Sequence, residues 1–283
     1  MRGGQWQVLR LMEGLRARGH ENLLLSRKGS PIAIEARSRG FETHELTLLS
    51  VARWSRAEIT HAHDARSHTA AALAGPARLV VSRRVAFPVQ ANPLSRWKYR
   101  RAAHYIAVSH FVERVLLDAG IAASKITVVY DGVPALPVSN GSEILVPQSQ
   151  DPAKGTELAL EGARLAGFPA RISGNLEKDL THARLFLYIT HSEGLGSAAL
   201  LAMAAGVPVI ASNVGGLREI VEHERTGLLT ENTPEAIAAA IRRLTADCTL
   251  AGSLGAQARL AAGQTFSVDR MVEDTLRIYE ALL

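Results

Sequence analysis

The stretch HSEGLGSAALLAMAAGVPVIAS, residues 191–212, places a carboxylate and two glycines where one element hands over to the next. Ahead of it lies the apolar run LFLYI, residues 185–189, and after the turn comes the Ala/Leu-rich SAALLAMAA. The Pro-led run PVIA, residues 208–211, then opens a second apolar strand. Strand, glycine turn, helix and strand make a β-α-β unit of a parallel sheet. A helix start offers unpaired backbone N–H groups and a partial positive charge, so such a turn suits a phosphate. Gly194 and Gly196 let the backbone approach a ligand closely, and Ser197 can cap the helix. Glu193 would point out of the carboxyl edge of the sheet, where α/β proteins bind ligands. A carboxylate there is useful if the ligand also carries hydroxyls, as a sugar diphosphate does. An ordinary turn with a solvated glutamate has the same spacing.

The same alternation extends in both directions. Upstream, Val8, Leu11, Met12 and Leu15 share a helical face, Gly19 ends that helix, and Leu23–Leu25 start a strand. Ser30 and Pro31 open another helix as N-cap and first residue. Strands are expected near residues 58–62, 77–81, 105–108 and 126–129. The segment PALPVSNGSE, residues 134–143, is rich in Pro, Gly and Ser and is expected to link two domains. Beyond it come a strand at 144–146, a helix from Thr156, the unit already described, and a strand at 227–229. Thr233 and Pro234 open a helix with Ile237, Ile241 and Leu244 on one face. The last helix, about 267–283, aligns Val272, Leu276, Tyr279 and Leu283. The expectation is two α/β domains, residues 1–138 and 139–283, with that helix packing back toward the first.

At 283 residues the chain is long enough for two cores. No run approaches the roughly 20 apolar residues of a membrane span, and no signal peptide stands out. A single cysteine, Cys248, forms no internal disulfide, which suits a reducing cytoplasm. The net charge of +5 is unevenly spread: residues 1–138 hold 20 Lys and Arg against 10 Asp and Glu. Drift of surface charge is one explanation, and an anionic acceptor or anionic membrane surface facing the first half is another. Nucleic acid is disfavoured, because no recognised nucleic-acid motif accompanies the charge.

The run EGLGSAALLAMAAGVPVIASNVGGLREIVEHERTGLLT, starting at Glu193, resembles the signature of the group-1, family 4 retaining glycosyltransferases. Weaker pieces lie in the family's order: the Gly3–Gly4 pair before a helix, THAHD at 60–64, IAVS at 106–109, and DPAKG at 151–155. The resemblance implies the GT-B fold, two Rossmann-like domains facing a central cleft, with nucleotide-sugar in the second and acceptor in the first. It implies a transferase for cell-envelope acceptors such as lipopolysaccharide or lipid-linked glycans, needing no metal or cofactor. Glu193 matches the glutamate that contacts donor-sugar hydroxyls, and Gly194, Leu195, Gly196 and Ser197 would face the sugar and diphosphate. Lys154 matches a lysine that neutralises the leaving diphosphate, a sound role where negative charge grows on the departing oxygen.

Gly3 and Gly4 would form a loop over the diphosphate, and His63 matches a cleft histidine that hydrogen-bonds the sugar or steers the acceptor. A metal held by His61 and His63 with His68 or Asp64 is the weaker reading of those histidines. Arg83 and Arg84, in SRRVAF, and Ser109 stand on the acceptor side, although Ser109 also suits a helix cap. SRRVAF and SRWKYRRA together interleave cations with aromatics, as a solvated helix face or an anionic-acceptor or membrane contact would.

Three departures qualify the match. The family's second signature glutamate, which grips the nucleotide ribose, is Leu201 here. An unpaired ribose hydroxyl in a closed site costs about 1–3 kcal/mol. Ser149 stands at the donor-site position where the family commonly has an arginine. The stretch between Gly167 and LFLYI is short, so the second sheet is expected to lack one or two strands. These departures motivate an alternative: a catalytically degenerate GT-B-like protein that binds a glycan or partners an active transferase. A nicotinamide enzyme is disfavoured, since no GxGxxG follows a strand. For either favoured reading the expected place is the cytoplasm, peripheral at the inner face of the plasma membrane.

Overall fold

The computed structural model describes Met1 and residues 3–283. The first elements are α1 (Gly3–Ala17), β1 (Leu23–Ser26), α2 (Pro31–Ser38), β2 (Glu42–Glu45), α3 (Leu48–Arg53) and β3 (Thr60–Ala62). They are followed by α4 (Ala65–Ala74), β4 (Leu79–Arg83), α5 (Pro93–Arg100), β5 (His104–Ala107), α6 (His110–Asp118) and β6 (Ile126–Val128). Next come β7 (Glu143–Pro147), α7 (Thr156–Ala166), β8 (Ala170–Ser173), α8 (Leu176–Asp179), β9 (Ala183–Tyr188) and α9 (Ser197–Ala204). The chain closes with β10 (Val209–Ser212), α10 (Leu217–Ile220), β11 (Gly227–Thr230), α11 (Pro234–Ala246), α12 (Cys248–Thr265) and α13 (Val268–Leu282).

These elements form two compact units. One comprises Met1–Gly132 together with Val268–Leu283, and the other Val133–Ser267. The division falls after Gly132, six residues before the sequence-based boundary at 138. The segment expected to be a linker is instead bound into the second unit. Ser139 donates its backbone N–H to the Ala205 carbonyl at 2.9 Å and its hydroxyl to the Ala183 carbonyl at 2.5 Å. Arg259 of α12 donates to the Leu136 carbonyl at 2.7 Å.

The first unit holds a four-stranded parallel sheet in the order β3-β4-β5-β6 and a separate parallel pair, β1-β2. All five residues of β4, LVVSR, are buried, as befits a strand with helices on both faces. Helix α13 belongs to this unit: Met271, Val272 and Ile278 share a core with Leu11, Leu15, Val80, Ile106 and Val129. A Cβ at Gly14 would lie 2.3 Å from Val272 Cγ2, so glycine is what lets α1 and α13 approach.

The second unit holds one five-stranded parallel sheet in the order β11-β10-β9-β7-β8. Leu185 and Leu187 of β9 pack with Ile144, Ile210, Ile237 and Ile241 in its core. Residues 168–184 still contain β8 and the short α8, but β8 carries Arg171 and the exposed Ile172, so no apolar run marks it. Helix caps follow the residues that suggest them: Ser30 accepts from Ala33 N–H, and Thr233 from Ala236 N–H. Among the described residues no helix is long and apolar enough to cross a membrane.

Candidate active site

In the second unit, β9 ends at Tyr188 and the chain turns through residues 189–196 into α9. Gly196 is the N-cap of α9 at φ +113°, a left-handed conformation that favours glycine, and no side chain caps the helix. Ser197 is the first helical residue rather than the cap it was expected to be. The turn is pinned by backbone contacts that exclude any side chain. A Cβ at Gly215 would lie 2.2 Å from the Glu193 carbonyl oxygen, and one at Gly216 would lie 2.1 Å from that of Gly194. Gly216 donates its N–H to the Glu193 carbonyl at 3.1 Å.

A latch closes the carboxyl ends of three adjacent strands. Ser212 Oγ accepts from Thr190 N–H at 2.8 Å and donates to Asn232 Oδ1 at 2.5 Å. Asn232 Nδ2 returns to the Thr190 carbonyl at 2.9 Å. Thr190 Oγ1 also donates to the Ala153 carbonyl at 3.1 Å, which ties this edge to the turn bearing Lys154. Gly155, at φ +55°, would place a Cβ 2.9 Å from the Ile189 carbonyl oxygen, so the DPAKG turn packs directly against the end of β9.

On that frame three side chains converge. Lys154 Nζ lies 2.7 Å from Glu193 Oε2, and the buried Tyr188 donates its hydroxyl to the same oxygen at 2.6 Å. Glu193 Oε1 accepts from Gly194 N–H at 3.0 Å. Burial first, and then the Glu193 charge, hold the Tyr188 phenol well above its ordinary pKa. Tyr188 thus stays a donor at neutral pH. It was not singled out from the sequence. The only available signal was a tyrosine closing an apolar strand at the sheet's carboxyl edge.

Other expected donor-site residues are placed differently. Leu195 is 2% exposed, so its side chain belongs to the core and only its backbone is available to a ligand. Ser149 Oγ accepts from Asp151 N–H at 3.2 Å and shapes the turn before Lys154. Leu201 lies half-buried one turn into α9. Gly3 and Gly4 do not form a loop, because they make the first turn of α1.

In the first unit, His63 follows β3 and its Nδ1 accepts from Arg84 Nη1 at 3.3 Å. Arginine is only a donor, so the ring proton sits on Nε2. Arg84 also pairs with the buried Asp131 at 3.0 Å, and its Cδ lies 3.7 Å from where a Gly4 Cβ would be. The ring centres of His61 and His63 lie 3.9 Å apart, with the planes tilted by 36°. His61 Nδ1 lies 2.5 Å from the Tyr279 hydroxyl and Nε2 lies 2.8 Å from Ser82 Oγ. Burial, with Arg84 second, lowers His61 to about 3. Burial, then His61 and Arg84, lowers His63 well below its ordinary value. Both rings are therefore neutral, and His63 offers an N–H donor rather than a cation. Both His61 nitrogens are engaged within the fold, one by Tyr279 and one by Ser82.

Two acceptor-side assignments are corrected. Ser109 is fully buried and caps α6, accepting from Val112 N–H at 3.1 Å. Arg83 is 8% exposed and turned inward, donating to the Tyr99 hydroxyl at 2.8 Å and to the Phe87 carbonyl. Arg84 remains, held between Asp131 and His63.

Residues 144–247 match the model described as glycosyl transferases group 1, and residues 1–135 match that of glycosyltransferase family 4. The chain belongs to glycosyltransferase family 4. The D-inositol 3-phosphate glycosyltransferase of Jonesia denitrificans is 39% identical to this family-4 chain over 92 residues, 32% of the chain and 22% of the relative. The alpha-maltose-1-phosphate synthase of Mycolicibacterium smegmatis is 37% identical over 107 residues, 35% of the chain and 28% of the relative. The chain therefore spans under a third of the length of these curated relatives. HepE from Anabaena, crystallised with UDP and with UDP-glucose, superimposes with a TM-score of 0.86 at 16% identity, covering 99% of this chain and 96% of that one. That likeness establishes the GT-B fold.

Proposed function

We propose that this family-4 chain transfers a sugar from a nucleoside-diphosphate sugar to a cell-envelope glycan or lipid-linked acceptor, with retention of configuration. The carrying observation is the convergence of Lys154 and Tyr188 on Glu193, at a glycine turn leading into the start of α9, which no side chain caps. The helix start and Lys154 suit a diphosphate, and the carboxylate suits sugar hydroxyls. As the glycosidic bond breaks, charge builds on the departing diphosphate, where a positioned ammonium stabilises the transition state more than the ground state. The departing phosphate oxygen takes the acceptor proton on the same face of the sugar. The names of the matched relatives, which include glycosyl transfer to D-inositol 3-phosphate, support an anionic acceptor. The proposed place is the cytoplasmic side of the membrane.

Leu201 and Ser149 favour one second reading, a GT-B protein that binds a glycan or partners an active transferase. Melting temperatures with UDP, GDP, ADP and their sugar conjugates separate the two, on wild type and Lys154→Ala. At 100 times its dissociation constant a donor raises stability by about 2.7 kcal/mol. A shift with one nucleotide series, lost in the variant and accompanied by donor turnover, is the expected result. No shift with any donor would leave only the binding-partner reading.

A further inference from the structure

The positive charge of the first unit is concentrated in one stretch. Residues 65–112 contain eight Lys and Arg and no Asp or Glu. Within it lies α5, among the described residues the one helix of this unit longer than a single turn that has no buried residue, in the sequence PLSRWKYR. Its inner side is fixed. Tyr99 accepts from Arg83 through its hydroxyl and from the Tyr105 hydroxyl, at 2.7 Å, through its carbonyl. Lys98 Nζ reaches Thr69 Oγ1 of α4 at 3.4 Å, and Arg101 Nε reaches the Ala72 carbonyl at 3.3 Å. With Lys98 and Tyr99 facing inward, helical spacing turns Arg96 and Arg100 outward and sets Trp97 between Arg100 and Leu94.

The outward side is both cationic and apolar. Leu94 is 70% exposed and Trp97 38%, and the loop leading to α5 adds Phe87 at 64% and Val85 at 37%. Four large apolar side chains within thirteen residues form an exposed patch that ordinary surface scatter does not produce. Arg101 lies 5.8 Å from the centre of the Trp97 ring, so cation and indole share one edge of the patch. A helix with basic residues beside Trp, Leu and Phe suits an interface where apolar groups enter the acyl boundary and cations meet headgroups. A nucleic acid or an acidic protein would use the arginines but gives Phe87 and Leu94 no apolar phase to enter.

We infer that α5 and the preceding loop dock this chain on an anionic lipid surface, with Phe87, Leu94 and Trp97 inserted and Arg96 and Arg100 on the headgroups. This deepens the lipid-linked acceptor reading proposed above, placing the chain where such an acceptor lies. Its test needs no turnover, so the two readings fail separately.

The intact chain is sedimented with vesicles of pure phosphatidylcholine and with vesicles in which a third of the lipid is phosphatidylglycerol. Binding is expected to the anionic vesicles only, with a blue shift of Trp fluorescence that Trp97→Phe removes. Arg96→Gln with Arg100→Gln should weaken binding about thirtyfold, at roughly fivefold per cation near an anionic surface. Phe87→Ser with Leu94→Ser should weaken it at least tenfold. Arg27→Gln with Lys28→Gln, an equal change of charge at exposed positions outside the patch, should alter it less than threefold. These side chains are exposed, so unchanged melting temperatures are expected for all variants. Three results would overturn the inference: no binding to anionic vesicles, equal loss with the Arg27/Lys28 control, or full binding by Phe87→Ser/Leu94→Ser. The second would mean diffuse electrostatic attraction, and the third a charge-only contact such as a polyanion makes.

Discussion

The two carboxylate oxygens of Glu193 have different partners: Oε1 accepts from its neighbour's backbone, while Oε2 accepts from both Tyr188 and Lys154. The Lys154 side chain is 32% exposed whereas Tyr188 is buried at the end of β9, so the phenol is the more firmly fixed of the two partners. Tyr188→Phe removes one hydrogen bond to a charged group, worth about 1.5–3 kcal/mol, while leaving an aromatic ring in the strand. A 10- to 100-fold loss in kcat/KM for the donor is expected, with a fall of only a few degrees in melting temperature. Steady-state kinetics with wild-type rates would show that Glu193 is held adequately without the phenol. At the same scale, His68 is 2% exposed, with its ring edge-on to Tyr99 at 5.0 Å. Burial, and then the Lys98 and Arg83 charges, lower it to about 4. Its folded pKa is below the unfolded value near 6.5, so its contribution is complete above pH 6.5 and is lost progressively as pH falls toward 4. His68 alone should therefore remove on the order of 2 kcal/mol between pH 7 and pH 5. Urea titrations of His68→Phe should show a flatter acid limb than wild type. An identical pH dependence would assign the acid sensitivity to His61 and His63.

At the scale of elements, the turn carrying Glu193 is shaped by glycines from a later segment. Gly216→Ala inserts a Cβ 2.1 Å from the Gly194 carbonyl oxygen, closer than real Cβ contacts come, so the turn must move. Gly167→Ala meets nothing within 4 Å and serves as a control, costing only its left-handed backbone at φ +82°, about 1–2 kcal/mol. The first variant should lose donor-induced stabilisation in a thermal shift, whereas the second should melt lower yet keep it. The sequence shows this turn plainly because all its parts are short-range: apolar strand, glycines, carboxylate and helix. What it hides has physical causes. Strand β2, Glu42–Glu45, has no buried residue and hence no apolar pattern. Helix α12 contains Gly252, Gly255 and Gly263, which resemble breaks. Yet a Cβ at Gly255 would lie 2.3 Å from the Gly206 carbonyl oxygen, so that glycine marks close packing of a continuous helix. Ser109 and Arg83 look like site residues because their chemistry suits a site, but burial assigns one to a cap and the other to the loop before α5.

At the scale of the whole molecule, the first unit is discontinuous in sequence: residues 1–132 are completed by a helix from the opposite end of the chain. Three of its apolar side chains, Met271, Val272 and Ile278, are at most 7% exposed. Burying each contributes about 1.5–3 kcal/mol, so together they approach the roughly 5–15 kcal/mol that stabilises a whole domain. The fit is also specific, because Val272 fills the space above Gly14. Tyr279 of the same helix meets His61, two residues from His63, so the histidine pair depends on this helix as well as on β3. A chain ending at Ser267 should therefore keep a cooperatively folded second unit while the first loses its structure. Hydrogen exchange resolved by peptide is the suitable measurement: protection should collapse across 1–132 and persist across 133–267. Supplying residues 268–283 as a peptide should restore protection to the first unit, and a Val272→Asp peptide should not. Undiminished protection of β3–β6 in the shortened chain would mean that α1 and the sheet suffice, leaving α13 no part in holding the histidine pair.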